Sequence, residues 1–143
     1  MNIKIKRITE SAKLPTCGTE YSAGYDLYSD ESTIVDPGAT VKISTGISVA
    51  IPEGYFGAIF ARSGLATKQG LRPSNCVGVI DSDYRGTVIV ALHNDSAFTR
   101  TIRTGDRIAQ LVIIEHQKIT WDEVDELDDT SRSFGGFGST GNN

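Results

Sequence analysis

Three short segments of this sequence carry side chains that could bind or attack a phosphate group. The first is Arg62-Ser63-Gly64, in which a cation, a hydroxyl group and a bare backbone stand together at a predicted helix start. Free N–H groups and the helix dipole favour an anion at such a position. Ser63 could instead cap an ordinary helix, and the tripeptide alone favours that simpler interpretation.

The second segment, residues 78–86, contains two carboxylates and a tyrosine between two predicted strands. In a hairpin, Asp81 and Asp83 would share a face, so that one of them could act as a general base. The alternative is an Asp-rich β-turn whose side chains bond to their own backbone. Taken alone, the segment favours this turn.

The third segment, residues 132–141, is rich in glycine. Successive glycines let backbone N–H groups converge on an anion, while Ser139 and Thr140 add hydroxyl donors and Arg132 adds a positive charge. One of its two phenylalanines could stack on a base. It is not a P-loop, because no lysine follows the glycines and no strand–loop–helix unit surrounds them. Composition alone favours a low-complexity tail.

Alternating apolar residues predict the β-strands that must position these groups. Residues 41–51 keep every second position apolar or β-branched, and residues 87–93 and 107–114 are nearly continuous apolar runs, typical of strands buried on both faces. Only the segment that begins at Ser63 favours a helix, of one or two turns. We predict an all-β domain, a jelly-roll-like barrel or sandwich, over residues 1–127, followed by a flexible Gly-rich tail over residues 128–143.

Composition limits what kind of protein this can be. The 143 residues fit one domain, and a hydrophobic content of 38% is enough for a core. Two cysteines cannot form a disulfide framework, which indicates a reducing, cytoplasmic environment, and we recognise no signal or transit peptide. The net charge of -4 argues against a broad nucleic-acid-binding face, and the apolar runs are too short to cross a membrane. A few placed cations and a metal ion would therefore have to bind any phosphate.

Taken together and in order, five segments resemble the motifs of the trimeric dUTP diphosphatases (dUTPases). They are AGYDL at 23–27, RSGLA at 62–66, GVIDSDYRG at 78–86, GDRIAQL at 105–111 and RSFGGFGSTG at 132–141. The resemblance spans nearly the whole chain. It implies a homotrimer of jelly-roll subunits that hydrolyses dUTP to dUMP and pyrophosphate with Mg²⁺ as cofactor. It also implies active sites at subunit interfaces, each closed by the C-terminal tail. Such an enzyme limits uracil in DNA and supplies dUMP for thymidylate synthesis.

The resemblance assigns the nucleoside and the chemical step to one stretch of chain. Asp81 matches the catalytic aspartate, which would accept a proton from the water that attacks the α-phosphorus. Tyr84 matches the tyrosine that packs under the sugar and excludes a ribose 2′-OH. A hairpin of residues 75–81 would read the uracil edge and exclude both cytosine and the methyl group of thymine. The implied base-site residues are Asn75, Gly78, Val79, Ile80 and Ile89.

The resemblance places the triphosphate on the remaining motifs. Asp26 would hold hydrated Mg²⁺ through its water ligands. The implied triphosphate contacts are Arg62, Ser63, Gly64 and Gln110. In the tail, Arg132 would neutralise the γ-phosphate and Phe137 would stack on uracil, and the phosphate cradle would continue through Gly138, Ser139 and Thr140.

Several residues depart from the family pattern or lie beside it. Ala61 stands where proline commonly precedes Arg-Ser-Gly, and Ser133 stands where glycine commonly follows the arginine of the fifth motif. A serine there restricts backbone angles that glycine permits, which bears on closure of the tail. Arg107 is expected to pair with an acidic residue of the fold or the interface rather than to contact substrate. Asp83 and Arg85 could tune the site, but exposed hairpin charges are more often simply solvated.

Three other functions compete with dUTP hydrolysis. A dCTP deaminase would share the fold, but that branch carries a catalytic glutamate ten positions beyond the shared aspartate, where this chain has Ala91. A dUTPase-like trimer could also act as a non-catalytic nucleotide sensor. A plain structural β-module would leave the five motifs unexplained.

Overall fold

Antiparallel strands with apolar residues at alternate positions build the protein, as the sequence predicts. The structure, a computed structural model, describes residues 1–136, which form twelve strands and one short helix. The strands and helix are β1 (Lys4–Arg7), β2 (Thr16–Cys17), β3 (Tyr25–Tyr28), β4 (Thr33–Val35), β5 (Thr40–Ser44), β6 (Ile47–Ala50), β7 (Tyr55–Phe60), α1 (Ser63–Gln69), β8 (Leu71–Pro73), β9 (Gly78–Ile80), β10 (Ile89–Asn94), β11 (Arg100–Ile102) and β12 (Arg107–Glu115). No helix within residues 1–136 is long and apolar enough to span a membrane.

Four antiparallel sheets enclose one apolar core. The largest has the strand order β2-β3-β12-β7-β9, and a second has the order β5-β10-β8. Two-stranded sheets, β1-β6 and β4-β11, complete the body. The core between them includes the fully buried side chains of Leu27, Ile43, Ile47, Leu92 and Ile108. This arrangement is the all-β, jelly-roll-type fold that the turn spacing predicts.

The long alternating run over residues 41–51 is two strands rather than one. Alternate positions are buried as predicted from Ile43 onward, but the chain turns at Gly46 between β5 and β6. Gly46 has a φ of 66°, and a Cβ at this position would lie 2.6 Å from the carboxylate of Asp30. Only glycine fits this backbone and this space, so the turn interrupts the run.

The prediction that residues 87–93 are buried on both faces is wrong for the isolated chain. Strand β10 buries Val90, Leu92 and Asn94 on one face, whereas Ile89 is 50% exposed on the other. The outer face of the β5-β10-β8 sheet therefore carries apolar surface that this chain alone does not cover.

The predicted helix forms, but Ser63 does not cap it. Arg62 is the N-cap residue, with extended backbone angles and no side-chain capping hydrogen bond, and Ser63 is the first helical residue. The Thr67 hydroxyl donates to the Ser63 carbonyl oxygen at 2.7 Å. Helix α1 ends at Gly70, whose left-handed φ of 69° is the usual signal for a C-terminus.

Beyond β12, residues 116–136 form neither helix nor strand. Most of their side chains are exposed, including Trp121 at 90%. Local turns close with hydrogen bonds from Ser133 N to Thr130 O and from Gly135 N to Arg132 O.

Candidate active site

Three strands bring an acid, an amide and an arginine together at one corner of the largest sheet. Asp26 on β3 lies opposite Gln110 on β12, and Gln110 lies opposite Phe60 on β7. Arg62 follows β7 by two residues, and its Nε donates to Asp26 Oδ1 at 2.8 Å. Arg107 Nη1 donates to the other carboxylate oxygen, Oδ2, at 3.1 Å. We call Asp26, Arg62, Arg107 and Gln110 the Asp26 cluster.

Gln110 ties this cluster to the start of the helix. Its Nε2 donates to the carbonyl oxygen of Ala61 at 2.9 Å. Because the acceptor is a backbone oxygen, which proline would equally provide, the departure at Ala61 removes no contact. On the other side, Gly24 leaves the space that the Gln110 amide fills. Ser63 and Gly64 follow Arg62 directly and are exposed.

The charges of the Asp26 cluster suit a metal-bound polyphosphate. Two guanidinium groups share one carboxylate, so the cluster keeps one net positive charge. The Asp26 side chain is only 17% exposed, and partial burial strengthens these interactions. Mg²⁺ prefers one or two carboxylates together with water and phosphate oxygens over a cage built only from protein. Asp26 fits this pattern, and residues 1–136 contain no cluster of three metal-ligating side chains.

A small pocket lies near the other edge of the largest sheet, beside β7 and β9. It has a volume of about 240 Å³ and is lined by Asn75, Gly78 and Ile89 of the predicted base site, together with Lys42, Ile59, Pro73, Val90 and Ala91. Val79 is exposed and Ile80 is buried, and neither lines the pocket. A Cβ on Gly78 would approach Ile59 Cβ to 3.2 Å, so the absence of a side chain helps to shape the pocket.

The predicted hairpins around this pocket are not paired hairpins. Strand β8 pairs with β10 and β9 pairs with β7, so the connection through residues 74–77 passes from one sheet to the other. A turn closes it, with hydrogen bonds from Cys76 N to Pro73 O and from Val77 N to Asn75 O. Cys76 has a left-handed φ of 61°.

Asp81 and Tyr84 lie in the turn that follows β9. Tyr84 N donates to Asp81 O at 3.2 Å, and the Tyr84 hydroxyl donates to Thr87 O at 3.1 Å. Gly86 leaves the space that the Tyr84 ring occupies. Arg85 is not simply solvated, since its Nη1 donates to Ser82 O at 2.6 Å and to Tyr84 O at 2.8 Å. We call residues 75–86 the base-side segment.

Asp81 and Asp83 both line an open groove next to this turn. The groove also contains Lys4, Phe56 and His116, and it is separate from the pocket at Asn75.

A further ion pair joins two residues that flank the base-side segment in the sequence. Arg72 on β8 contacts Asp95 through two hydrogen bonds, of 2.6 Å and 3.1 Å. These bonds lower the pKa of the Asp95 carboxyl and raise the pKa of the Arg72 guanidinium. His93 joins them, with its Nε2 3.3 Å from Asp95 Oδ1 and its Nδ1 2.8 Å from Thr40 Oγ1.

One chain does not bring the two halves of the predicted site together. Asp81 follows Ile80, which lies opposite Gly57 near the start of β7, whereas the Asp26 cluster lies level with Phe60 at its end. Four residues along a strand and three strands across a sheet separate Asp81 from Asp26 by roughly 20 Å. This is too far for a carboxylate at the α-phosphorus and a cluster on the same triphosphate.

Within the described residues, Arg132 makes no hydrogen bond or ion pair with the Asp26 cluster. Arg132 Nε donates to Gly135 O within its own turn, at 2.9 Å. Ser133 has a φ of 43°, in the left-handed region that glycine adopts more readily. The predicted contacts Phe137, Gly138, Ser139 and Thr140 lie outside the described residues.

Two arginines make contacts in the site that the sequence did not specify. Arg107 pairs with an acidic residue as expected, but that residue is Asp26 itself. Arg85 holds the turn that carries Asp81 and Tyr84. The spacing of Arg107 conceals its contact with Asp26. Arg107 stands three residues before Gln110, and in a regular strand this spacing would put the two side chains on opposite faces.

Comparisons with known proteins identify the family to which this chain is similar. A family model described as dUTPase matches residues 10–141. A protein of Anaplasma marginale (strain St. Maries), a deoxyuridine 5′-triphosphate nucleotidohydrolase, is 42% identical over an alignment of 145 positions that covers 99% of each chain. Relatives with this description also include one from Paramecium bursaria Chlorella virus 1.

Two solved structures are similar over most of their length. The Staphylococcus bacteriophage 80alpha dUTPase with dUPNHPP is 29% identical, with a TM-score of 0.91 and 98% of each chain covered. A mutant dUTPase from phage phi11 of S. aureus, described for its coordination of a structural Mg(II) ion, is 27% identical. Its TM-score is 0.82, with 88% of this chain and 98% of that chain covered.

Proposed function

This chain belongs to the dUTPase family and is a dUTP nucleotidohydrolase that forms dUMP, and we propose that Asp81 is its general base. The Asp81 carboxylate accepts a proton from a water molecule as the water oxygen bonds to the α-phosphorus. The bond from the α-phosphorus to the α–β bridging oxygen breaks, and its electron pair leaves with pyrophosphate.

The observation that carries this assignment is the order of groups along the base-side segment. The pocket at Asn75 and Gly78 comes first, and the turn with Asp81 and Tyr84 follows it directly. In a nucleotide the sugar and the α-phosphate likewise lie beside each other, directly after the base. Uracil in the pocket would place the sugar beside the Tyr84 ring and the α-phosphate near Asp81, where a ribose 2′-OH would meet the ring.

The Asp26 cluster binds the other end of the substrate in this proposal. Arg62 and Gln110 contact the triphosphate together with Ser63 and the backbone of Gly64. Asp26 holds a Mg²⁺ ion through its water ligands. When bound, this ion would neutralise negative charge on the phosphates and on the leaving group.

A complete active site then needs two copies of the chain. Because roughly 20 Å separate Asp81 from Asp26 in one copy, Asp81 of one subunit faces the Asp26 cluster of its neighbour. A head-to-tail contact of this kind closes into a ring, and a homotrimer with three such sites satisfies it.

We assign the role of a lid to residues 128–143. Arg132 neutralises the γ-phosphate, and the segment beyond it covers the bound nucleotide. A chain that ends after Thr130 should keep its oligomeric state and lose most of its turnover, because closure completes the site and excludes water. Loss of the oligomer instead would make these residues structural.

The test of the function is product formation from dUTP, dCTP, dTTP and UTP, each with Mg²⁺ and with a chelator. Selective, Mg²⁺-stimulated conversion of dUTP to dUMP and pyrophosphate is the expected result. Release of a uracil nucleotide from dCTP would establish a deaminase and require another residue to do what Ala91 cannot. Saturable binding without any product would make the protein a nucleotide sensor.

A further inference from the structure

Strand β12 contains a one-residue bulge beside the Asp26 cluster. Gln110 lies opposite Asp26 and Ala109 lies opposite Leu27, but Arg107 lies opposite Tyr28. Two steps along β12 therefore match one step along β3, and Ile108 is the extra residue. Bulges of this kind re-aim side chains and are frequent beside active sites.

The bulge changes the face on which Arg107 lies. Asp26 and Tyr28 are two residues apart on β3, so their side chains share one face. Arg107 and Gln110 lie opposite these two residues and therefore share that face, although they are three residues apart. Without the extra residue, Arg107 would point to the other face with the buried Ala109 and could not reach Asp26.

Arg107 is linked to the cluster in two ways. Its Nη1 donates to Asp26 Oδ2 at 3.1 Å, so that Asp26 is held from both sides, with Arg62 on Oδ1. Its backbone carbonyl oxygen accepts a hydrogen bond from Arg62 Nη1 at 3.1 Å. The Asp26 side chain is 17% exposed and that of Arg107 is 52% exposed, so the second guanidinium also leaves positive charge at the surface.

We propose that Arg107 is a positioning residue for dUTP hydrolysis, which acts by fixing the Asp26 carboxylate. The inference rests on the role proposed above for Asp26. With Arg107 in place, Asp26 keeps one orientation toward the hydrated metal. Without it, Asp26 is held on one oxygen only and turns toward Arg62. Partners that orient a metal-binding group in this way typically contribute about 10–100-fold in metal affinity or activity.

The test compares Arg107→Gln, Arg107→Lys and Asp26→Asn with the double variant Asp26→Asn/Arg107→Gln. Arg103→Gln is the matched control, because Arg103 is exposed and precedes β12 by four residues. The measurements are kcat and KM for dUTP across a range of Mg²⁺ concentrations, the affinity for dUMP, and the unfolding temperature. dUMP lacks the β- and γ-phosphates and therefore reports on the base-side segment alone.

Arg107→Gln should lower kcat/KM about 10–100-fold and raise the Mg²⁺ concentration for half-maximal rate. Its affinity for dUMP should not change. Arg107→Lys keeps the charge but not the planar guanidinium, so it should recover only part of the loss. In the Asp26→Asn background, Arg107→Gln should cost little more, because its effect passes through Asp26.

Other results overturn the inference. Equal losses from Arg107→Gln in both backgrounds would mean that Arg107 acts independently of Asp26. A lower unfolding temperature with weaker dUMP binding and an unchanged Mg²⁺ dependence would make its role structural. If Asp26→Asn itself keeps full turnover, the proposed metal role of Asp26 fails first. If only Asp26→Asn is impaired, that role stands and this inference fails.

Discussion

The Asp26 cluster and the base-side segment are organised by different kinds of interaction. In the cluster, charged side chains hold one another, with two arginines on one carboxylate. In the base-side segment, backbone turns and glycines set the shape, and the side chains of Asp81 and Tyr84 are exposed. The Asp26 cluster is therefore defined by the positions of its charges, whereas the base-side segment is defined by the shape of its backbone.

The difference tells us which substitutions each region should resist. A triphosphate is recognised by its charge, so the Asp26 cluster should be sensitive to any change of charge. A uracil base is recognised by shape and backbone hydrogen bonds, so the base-side segment should be sensitive to added volume. Asp81 is the exception under our proposal, because its charge would be needed for proton transfer rather than for binding.

The largest expected effect is that of Asp81→Asn. The amide keeps the size of the side chain but cannot accept the proton, so kcat should fall about 10²–10⁴-fold. The affinity for a non-hydrolysable dUTP analogue, measured by calorimetry, should stay nearly the same. Asp83→Asn is the matched control, because Asp83 lines the same groove, and it should keep most of the turnover. Full turnover in Asp81→Asn would make the assignment of the base wrong.

Mixing two inactive chains tests whether the two regions meet only between subunits. Asp81→Asn and Arg62→Ala chains, unfolded and refolded together, should regain about a quarter of wild-type turnover per chain, because one site in four takes both intact regions from different chains. Arg62→Ala mixed with Asp26→Asn should regain nothing, since both changes lie in the same cluster. Recovery in this second mixture would show that the cluster itself is divided between chains.

A single added methyl group should weaken sugar discrimination. In Gly86→Ala, the new Cβ would overlap the hydroxyl and ring of Tyr84, which must then move away from the sugar. The ratio of kcat/KM for UTP to that for dUTP should rise roughly tenfold, since a pocket changed by one carbon typically discriminates by about this factor. Gly18→Ala is the control, because its Cβ would meet only Ser22 Oγ, at 3.6 Å. An unchanged ratio would remove Tyr84 from sugar recognition.

The sequence predicts the all-β fold and most of the Asp26 cluster, and physical reasons explain what it does not predict. Alternation of apolar residues identifies buried positions such as Ile43 and Ile47. It does not reveal the turn at Gly46, because the alternation continues across this glycine without a break. Periodicity likewise places Arg107 on the wrong face, since a bulge depends on pairing with β3. Pairing between distant strands is a tertiary property that local patterns do not encode.

The predicted hairpins fail for a related reason. Turn residues around Asn75 correctly indicate a reversal of the chain, but they do not specify which strands pair on either side. Here β8 and β9 join different sheets, and residues of both sheets line the pocket. The hydrogen bonds of Arg85 to the turn also depend on this local backbone and could not be predicted from charge alone.

The smallest expected effect comes from the ion pair of Arg72 with Asp95, which flank the base-side segment in the sequence. Arg72 and Asp95 have side chains 37% and 45% exposed, and exposed pairs contribute little. Asp95→Asn should therefore leave dUTP turnover at pH 7 unchanged, in contrast to Asp26→Asn.

Because Arg72 lowers the pKa of Asp95 in the folded protein, the ion pair stabilises the fold above the unfolded pKa of about 3.9. It loses this contribution as the pH falls through the folded pKa. Urea unfolding at a fixed protein concentration should show a small difference between wild type and Asp95→Asn at pH 7 that disappears once the pH is below the lowered pKa of Asp95 in the folded protein. A difference that persists in acid would mean that Asp95 contributes through packing rather than charge. A loss of turnover at pH 7 would show that turnover also depends on a charge outside the Asp26 cluster.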